Sequence, residues 1–428
     1  MLGGRHDAFR HLTNLVLRPR NGWSDQPQYG PLLATLLARA TELRHLTLDD
    51  CEILELNQRV CRTLVKMPKL VSLDVGNVVV ESFKHFKSLG VPALTEIEAS
   101  FSYEDDIIDA IPVFKLFKDT LRSLDLSIVT IDTTGGVRYP HVHTLSIDMC
   151  SGYSPSLLVE AFPSLQHLQF QTTLEEMRTD DEIDDTRWDS IRDQAPRYAR
   201  WPSLRTFHGS ILDLYALGLR CEVDHVGAAG DFLCSEKDAE RLRAAVGDVR
   251  PRSLCLWLQM PEFDLSALSA CLAPARERLT ELQLRLHFGG DMHKYPISQI
   301  NDMLKELSIH NLRVLEINIT WEASREQRAR RMSRMLVLDE GDTPLKESED
   351  EAEDGPTPAK LDLEAIAYRA VKHSETLRFI SISDRWVRRA TFEVRDKEGP
   401  KSKRKALLQL SERSAGWEEF YRSAIHTA

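Results

Sequence analysis

Fourteen histidines, seven cysteines and 66 carboxylates are the residues of this 428-residue chain with chemistry to offer. His141 and His143 alternate as ligands on one strand can, but no carboxylate or cysteine stands beside them at ligand spacing. The acid-rich stretch 180–185 lacks the glycine turn and the closing bidentate Glu of a calcium loop. Cys51, Cys61, Cys150, Cys221, Cys234, Cys255 and Cys271 are odd in number, widely spaced and without a CxxC pair. Neither a disulfide framework nor a zinc ribbon fits them; they read as small buried hydrophobes in a reducing compartment. No glycine loop for phosphate, no HExxH and no GxSxG elbow occurs. The expectation is a chain with no catalytic residues, no metal and no cofactor.

What remains is charge and its placement. The net charge is −11, with 28% charged and 42% hydrophobic residues. That composition folds, and it argues against a uniformly cationic nucleic-acid binder. No apolar run approaches the roughly 18 to 20 residues of a membrane span. The opening MLGGRHDAFRHL carries charges where a signal peptide needs its apolar stretch. The chain is expected to be intracellular, in cytoplasm or nucleus, with neither nucleic acid nor membrane among its partners.

The elements that would position those charges recur. Leu43, Leu46 and Leu48 have the spacing Leu-x-x-Leu-x-Leu, followed by Cys51 and Ile53. The triplet returns at Leu70/Leu73/Val75, Leu94/Ile97/Ala99, Leu121/Leu124/Leu126, Val142/Leu145/Ile147 and Leu165/Leu168/Phe170. Weaker copies are Leu204/Phe207/Gly209 and Val223/Val226/Ala228. Later ones are Leu254/Leu256, Leu279/Leu282/Leu284, Leu312/Leu315/Ile317 and Leu377/Ile380/Ile382, and Leu12/Leu15/Leu17 opens the series. Positions four and six alternate as in a strand. Segments of helical period lie between, such as Pro31–Ala40, Asn57–Lys66, Ser154–Phe162 and Glu236–Val246. Several connectors end at a proline, as in Phe162-Pro163 and Trp201-Pro202, which stops a helix before the next strand. No unit buries its apolar side alone, so neighbours must stack. The fold class expected is α/β: a leucine-rich-repeat solenoid, or horseshoe, with a parallel concave sheet and convex helices.

The solenoid is expected over 1–385, with acidic loop insertions at about 175–189 and 339–358, where aliphatics are scarce. Ser348 in the second is followed by Glu349, Asp350 and Glu351, a context acidophilic kinases favour. Residues 386–428 read as a C-terminal cap, with a strand over Arg388–Arg395, a basic loop at Lys401–Lys405 and a final helix over Trp417–Ile425. Arg388-Arg389 followed by KSKRK also matches a bipartite nuclear-import pattern.

The third, fifth and seventh positions of each unit would face the concave side. They include His45 and Asp49, then Asp74, then Glu96 and Glu98, then Asp125, then Asp148. Units two to six carry no Lys or Arg at these positions. His167 and Gln169 follow, and Trp257 is the candidate aromatic anchor. Such a groove would attract a protein partner with a basic segment.

With irregular units of the Leu43-Arg44-His45-Leu46-Thr47-Leu48 kind and helical connectors over 12–385, the chain resembles the leucine-rich-repeat arm of F-box proteins. The resemblance implies substrate recognition for ubiquitin transfer. In that family an F-box helical bundle docks the ligase scaffold; no Leu-Pro-opened helical stretch precedes Leu12, so the arm is expected without its docking module. The alternative is a stand-alone scaffold or inhibitor that holds a basic protein in the acidic groove.

Overall fold

The fourth and sixth positions of the aliphatic triplets lie on strands, and within each of the chain's two units consecutive strands pair. The computed structural model describes residues 8–18, 29–50, 52–79, 82–89, 93–101, 108–131, 135–172, 179–196, 200–228, 233–260, 263–288, 296–307, 311–321, 363–374, 376–384, 388–396 and 405–410. The chain divides into two units, the first on Met1–Gly209 and Asp213–Glu222, the second on Ser210–Leu212 and Val223–Thr427.

In the first unit the strands are β1 (Asn14–Leu17), β2 (His45–Leu48), β3 (Ser72–Val78), β4 (Glu96–Phe101), β5 (Ser123–Ile131), β6 (Thr144–Tyr153), β7 (His167–Thr172) and β8 (Ser203–Gly209). Each pairs in parallel with the next. The register puts the fourth positions in one row: Leu46, Leu73, Ile97, Leu124, Leu145, Leu168 and Phe207. All seven are at most 2% exposed. A one-residue slip would turn every one of them to the other face, so this burial is what fixes the pairing. Gly209 fills the sixth position of the weak last copy for a steric reason: a Cβ there would lie 2.2 Å from the Phe170 carbonyl oxygen.

The connectors supply the other side of the core. Helix Tyr29–Arg39 buries Leu33 and Leu37, and helix Gln58–Val65 buries Val60, Cys61 and Leu64. Asn57 caps the latter by accepting from the Arg59 and Val60 amides. Where connectors shorten to Phe86–Leu89 and Ala110–Val113, aromatic rings fill the space; Phe83 lies 5.5 Å from both Phe114 and Phe117. Two buried donors tie successive connectors together. Tyr139 Oη donates to the Ile111 carbonyl, and Trp201 Nε1 donates to the Phe162 carbonyl at 2.8 Å.

The eighth position of three units breaks the ladder. Asn77, Ile128 and Met149 have φ of 51°, 63° and 57°. The pairing shifts register at or next to each of them. The left-handed residue turns the ninth position inward, and Val78, Val129 and Cys150 are all buried.

In the second unit β9 (Glu222–Ala228), β10 (Ser253–Met260), β11 (Glu281–Phe288), β12 (Val314–Trp321) and β13 (Phe379–Asp384) are parallel in sequence order. β14 (Arg388–Asp396) and β15 (Lys405–Leu410) then add antiparallel. The strand expected over Arg388–Arg395 is present as β14; Lys401–Arg404 and Trp417–Ile425 lie outside the described residues, as do Cys51 and 339–358.

The acidic stretch 175–189 requires a correction. Described from Thr179 onward, it is not a loop: Asp180–Asp193 is a 14-residue helix. Thr179 and Glu182 form a reciprocal capping box, and Asp180, Asp181 and Glu182 lie at the positive end of the helix dipole. Its anchors are polar. Arg187 Nη1 donates to the Tyr215 carbonyl at 2.8 Å and its guanidinium lies 4.4 Å from the Tyr215 ring centre. Buried Gln194 Nε2 donates to the Leu217 and Gly218 carbonyls.

Candidate functional site

With the even positions of the first-unit strands buried, the odd ones line the other face of the sheet. The fifth positions form a row in register: Thr47, Asp74, Glu98, Asp125, Ser146, Gln169 and His208. Adjacent parallel strands lie about 4.8 Å apart, so Asp74, Glu98 and Asp125 are three consecutive carboxylates at one level. Their mutual field adds to the effect of burial at Glu98 and Asp125. Glu98 is raised above the ordinary glutamate value, first by partial desolvation, then by Asp74 and Asp125. Asp125 is raised chiefly by burial and further by Asp148 and Asp74, against a hydrogen bond from Ser146 that lowers it.

The other expected residues distribute around this row. Glu96 stands at the third-position level, in register with Ser72 and Ser123. His45 and His167 share that level, on β2 and β7. His167 Nδ1 and Thr206 Oγ1 are 3.0 Å apart, and burial, then Arg205, His208 and His143, lowers its pKa. Asp148 pairs with Ser127 at the seventh-position level. Gln169 is exposed in the main row. Asp49 is exposed and meets Arg18 Nε at 3.4 Å. Arg18 is the seventh position of the opening copy Leu12/Leu15/Leu17, so the periodicity locates a cation that a search of units two to six passes over.

Trp257 belongs to the second unit. It is half-buried on β10 with the Arg285 guanidinium of β11 lying 4.9 Å from its ring centre. Further along that unit, odd positions on two strands are buried and polar. Glu316, Asn318, Ser381 and Ser383, on β12 and β13, are 5 to 8% exposed. Asn318 Nδ2 donates to Glu316 Oε1 at 3.4 Å, and Ser383 Oγ donates to Asn318 Oδ1. Neither group carried a signal in the sequence, because burial at an odd position cannot be read from period alone. Among the described residues the in-register acidic row is thus a property of the first unit.

Four of the six described cysteines, Cys61, Cys150, Cys221 and Cys271, are buried as expected; Cys255 is intermediate and Cys234 is exposed. Burial pushes Cys61 and Cys221 up to about 12 and Cys255 and Cys271 up to about 11, far from a reactive thiolate. Among the described residues no three His, Cys, Asp or Glu side chains converge as a metal site requires, and no helix is long and apolar enough to cross a membrane.

No protein-family model matches the chain, and no curated protein matches it in sequence.

Proposed function

We propose that this chain is a non-catalytic protein-interaction module: a leucine-rich-repeat solenoid whose first-unit sheet face holds a basic segment of a partner protein. The observation that carries the reading is the in-register run Asp74, Glu98, Asp125 on three neighbouring strands. Like charges at one level cost stability until a cation arrives, and that cost is returned on binding. The same row steers a basic partner at low ionic strength. This matches what is expected of an arm resembling that of F-box substrate receptors, acting inside the cell.

The test is binding of a fluorescein-labelled Lys/Arg-rich peptide, followed by anisotropy. Wild-type protein should bind it in a salt-dependent manner, and the triple variant Asp74→Asn/Glu98→Gln/Asp125→Asn should bind at least about tenfold more weakly, a change of 1.4 kcal/mol. Equal affinity in the folded triple variant sinks the proposal. Co-purification then separates the two settings: ligase scaffold subunits mark a receptor arm, and one stoichiometric basic partner marks a stand-alone scaffold or inhibitor.

A further inference from the structure

Two helical connectors near the start of the first unit have the opposite chemistry. A cleft of about 550 Å³ opens between helix Tyr29–Arg39 and helix Gln58–Val65. Arg39, Arg59, Arg62 and Lys66 line it, and among its described lining residues there is no carboxylate. In a chain of net charge −11 that is a local reversal of sign. Between the cations the floor is aliphatic, built on Ala34, Leu37 and Met67.

Two further observations point to a ligand. Arg59 is the second residue of helix Gln58–Val65, whose first turn contains no acid. A cation there opposes the helix dipole, so local stability does not account for it. Leu32 and Leu56 are 62% and 63% exposed, the one two residues from Gly30, the other next to Asn57. Gly30 and Asn57 touch: a Cβ on Gly30 would lie 1.8 Å from the Asn57 amide nitrogen. Two large aliphatic side chains therefore stand in solvent on residues close in sequence to the point where the cleft's two helices meet.

We propose that this cleft is a second docking site, which takes an acidic segment of a partner protein carrying leucine-like side chains. The cations pair with its carboxylates, and the aliphatic floor with Leu32 and Leu56 receives its apolar residues. A nucleic acid fits less well, because no aromatic side chain lines the cleft among the described residues to stack a base.

The probe is a fluorescein-labelled twelve-residue peptide of Glu-Glu-Leu repeats, with a Lys-Lys-Leu peptide and a labelled oligouridylate as comparisons. The acidic peptide should bind, and Arg59→Glu/Arg62→Gln should weaken it at least tenfold while circular dichroism stays at the wild-type level, since Glu suits the first turn at 59 and Gln is a good helix former in the last turn at 62. Leu56→Ser, at an exposed position, should weaken it several-fold. Millimolar inorganic phosphate should not displace it. Asp74→Asn/Glu98→Gln/Asp125→Asn should leave it unchanged, which keeps this site's failure separate from that of the sheet face. Absence of acidic-peptide binding, binding indifferent to Arg59 and Arg62, displacement by phosphate, or tighter arginine-dependent capture of oligouridylate would each overturn the proposal.

Discussion

Glu98 sits between two carboxylates, and its proton is the most direct report on the row. Its pKa is raised in the folded chain, so below the ordinary value of 4.5 folded and unfolded forms are both protonated and the group costs nothing. As pH climbs through the raised folded value, the folded chain holds a proton that the unfolded chain has released, and stability falls. Asp125 behaves the same way from its ordinary value of 3.8. Glu98→Gln should therefore match wild type in urea unfolding at pH 4 and surpass it at pH 7. The gain should stay below about 1 kcal/mol, because Glu98 is exposed and solvent screens its charge. An unchanged or lower midpoint at pH 7 would show that the carboxylates already have cationic company. The same substitution should weaken the basic peptide, so stability and capture move in opposite directions at one residue.

Helix Asp180–Asp193 shows why one element escaped the sequence. Few aliphatics and many acids read as a solvated loop, yet Thr179 and Glu182 were a legible capping box, and the acids crowd the end where a helix tolerates them. The hidden part was the anchoring by Arg187 and Gln194 to carbonyls about 23 to 28 residues away, which no local pattern encodes. Thr179→Ala should cost the helix about 1 kcal/mol, read as faster amide exchange over 180–186. The strand triplets were legible because aliphatic spacing alone sets register. Their left-handed eighth positions were not: Asn77 suits that conformation, but Ile128 and Met149 do not and are held there by the sheet. Ile128→Gly should relieve about 1 kcal/mol or more of backbone strain, partly offset by unfolded-state entropy, leaving the melting temperature equal or higher. A drop of several degrees would mean that the Ile128 side chain contributes more than its conformation costs. Within the candidate site, the acidic row followed from the same period that gave the strands; Arg18 followed from it too once the opening copy is extended by one residue. The buried pair Glu316 and Asn318 did not, since period alone does not say which odd positions are buried.

At the scale of the whole molecule, stability is built from neighbours. In the first unit β2 to β7 each pair with the strand before and the strand after them in sequence, and the buried fourth-position row has no single centre. Stacks of this kind lose stability locally before they lose it globally. Leu124, 1% exposed and in register with Ile97 and Leu145, is the natural place to open a hole. Leu124→Ala should cost about 2–5 kcal/mol by transfer and cavity formation. The loss should fall on β4, β5 and β6, which touch the hole, and hydrogen exchange should show those amides opening early while β1 and β2 keep wild-type protection. Glu98 and Asp125 of the acidic row lie on two of those strands, β4 and β5, so the variant should release a basic peptide at temperatures where the far end of the unit is still folded. Uniform loss of protection across β1 to β8 would instead make the first unit one cooperative block, and the carboxylate row would then stand or fall with every strand of the sheet.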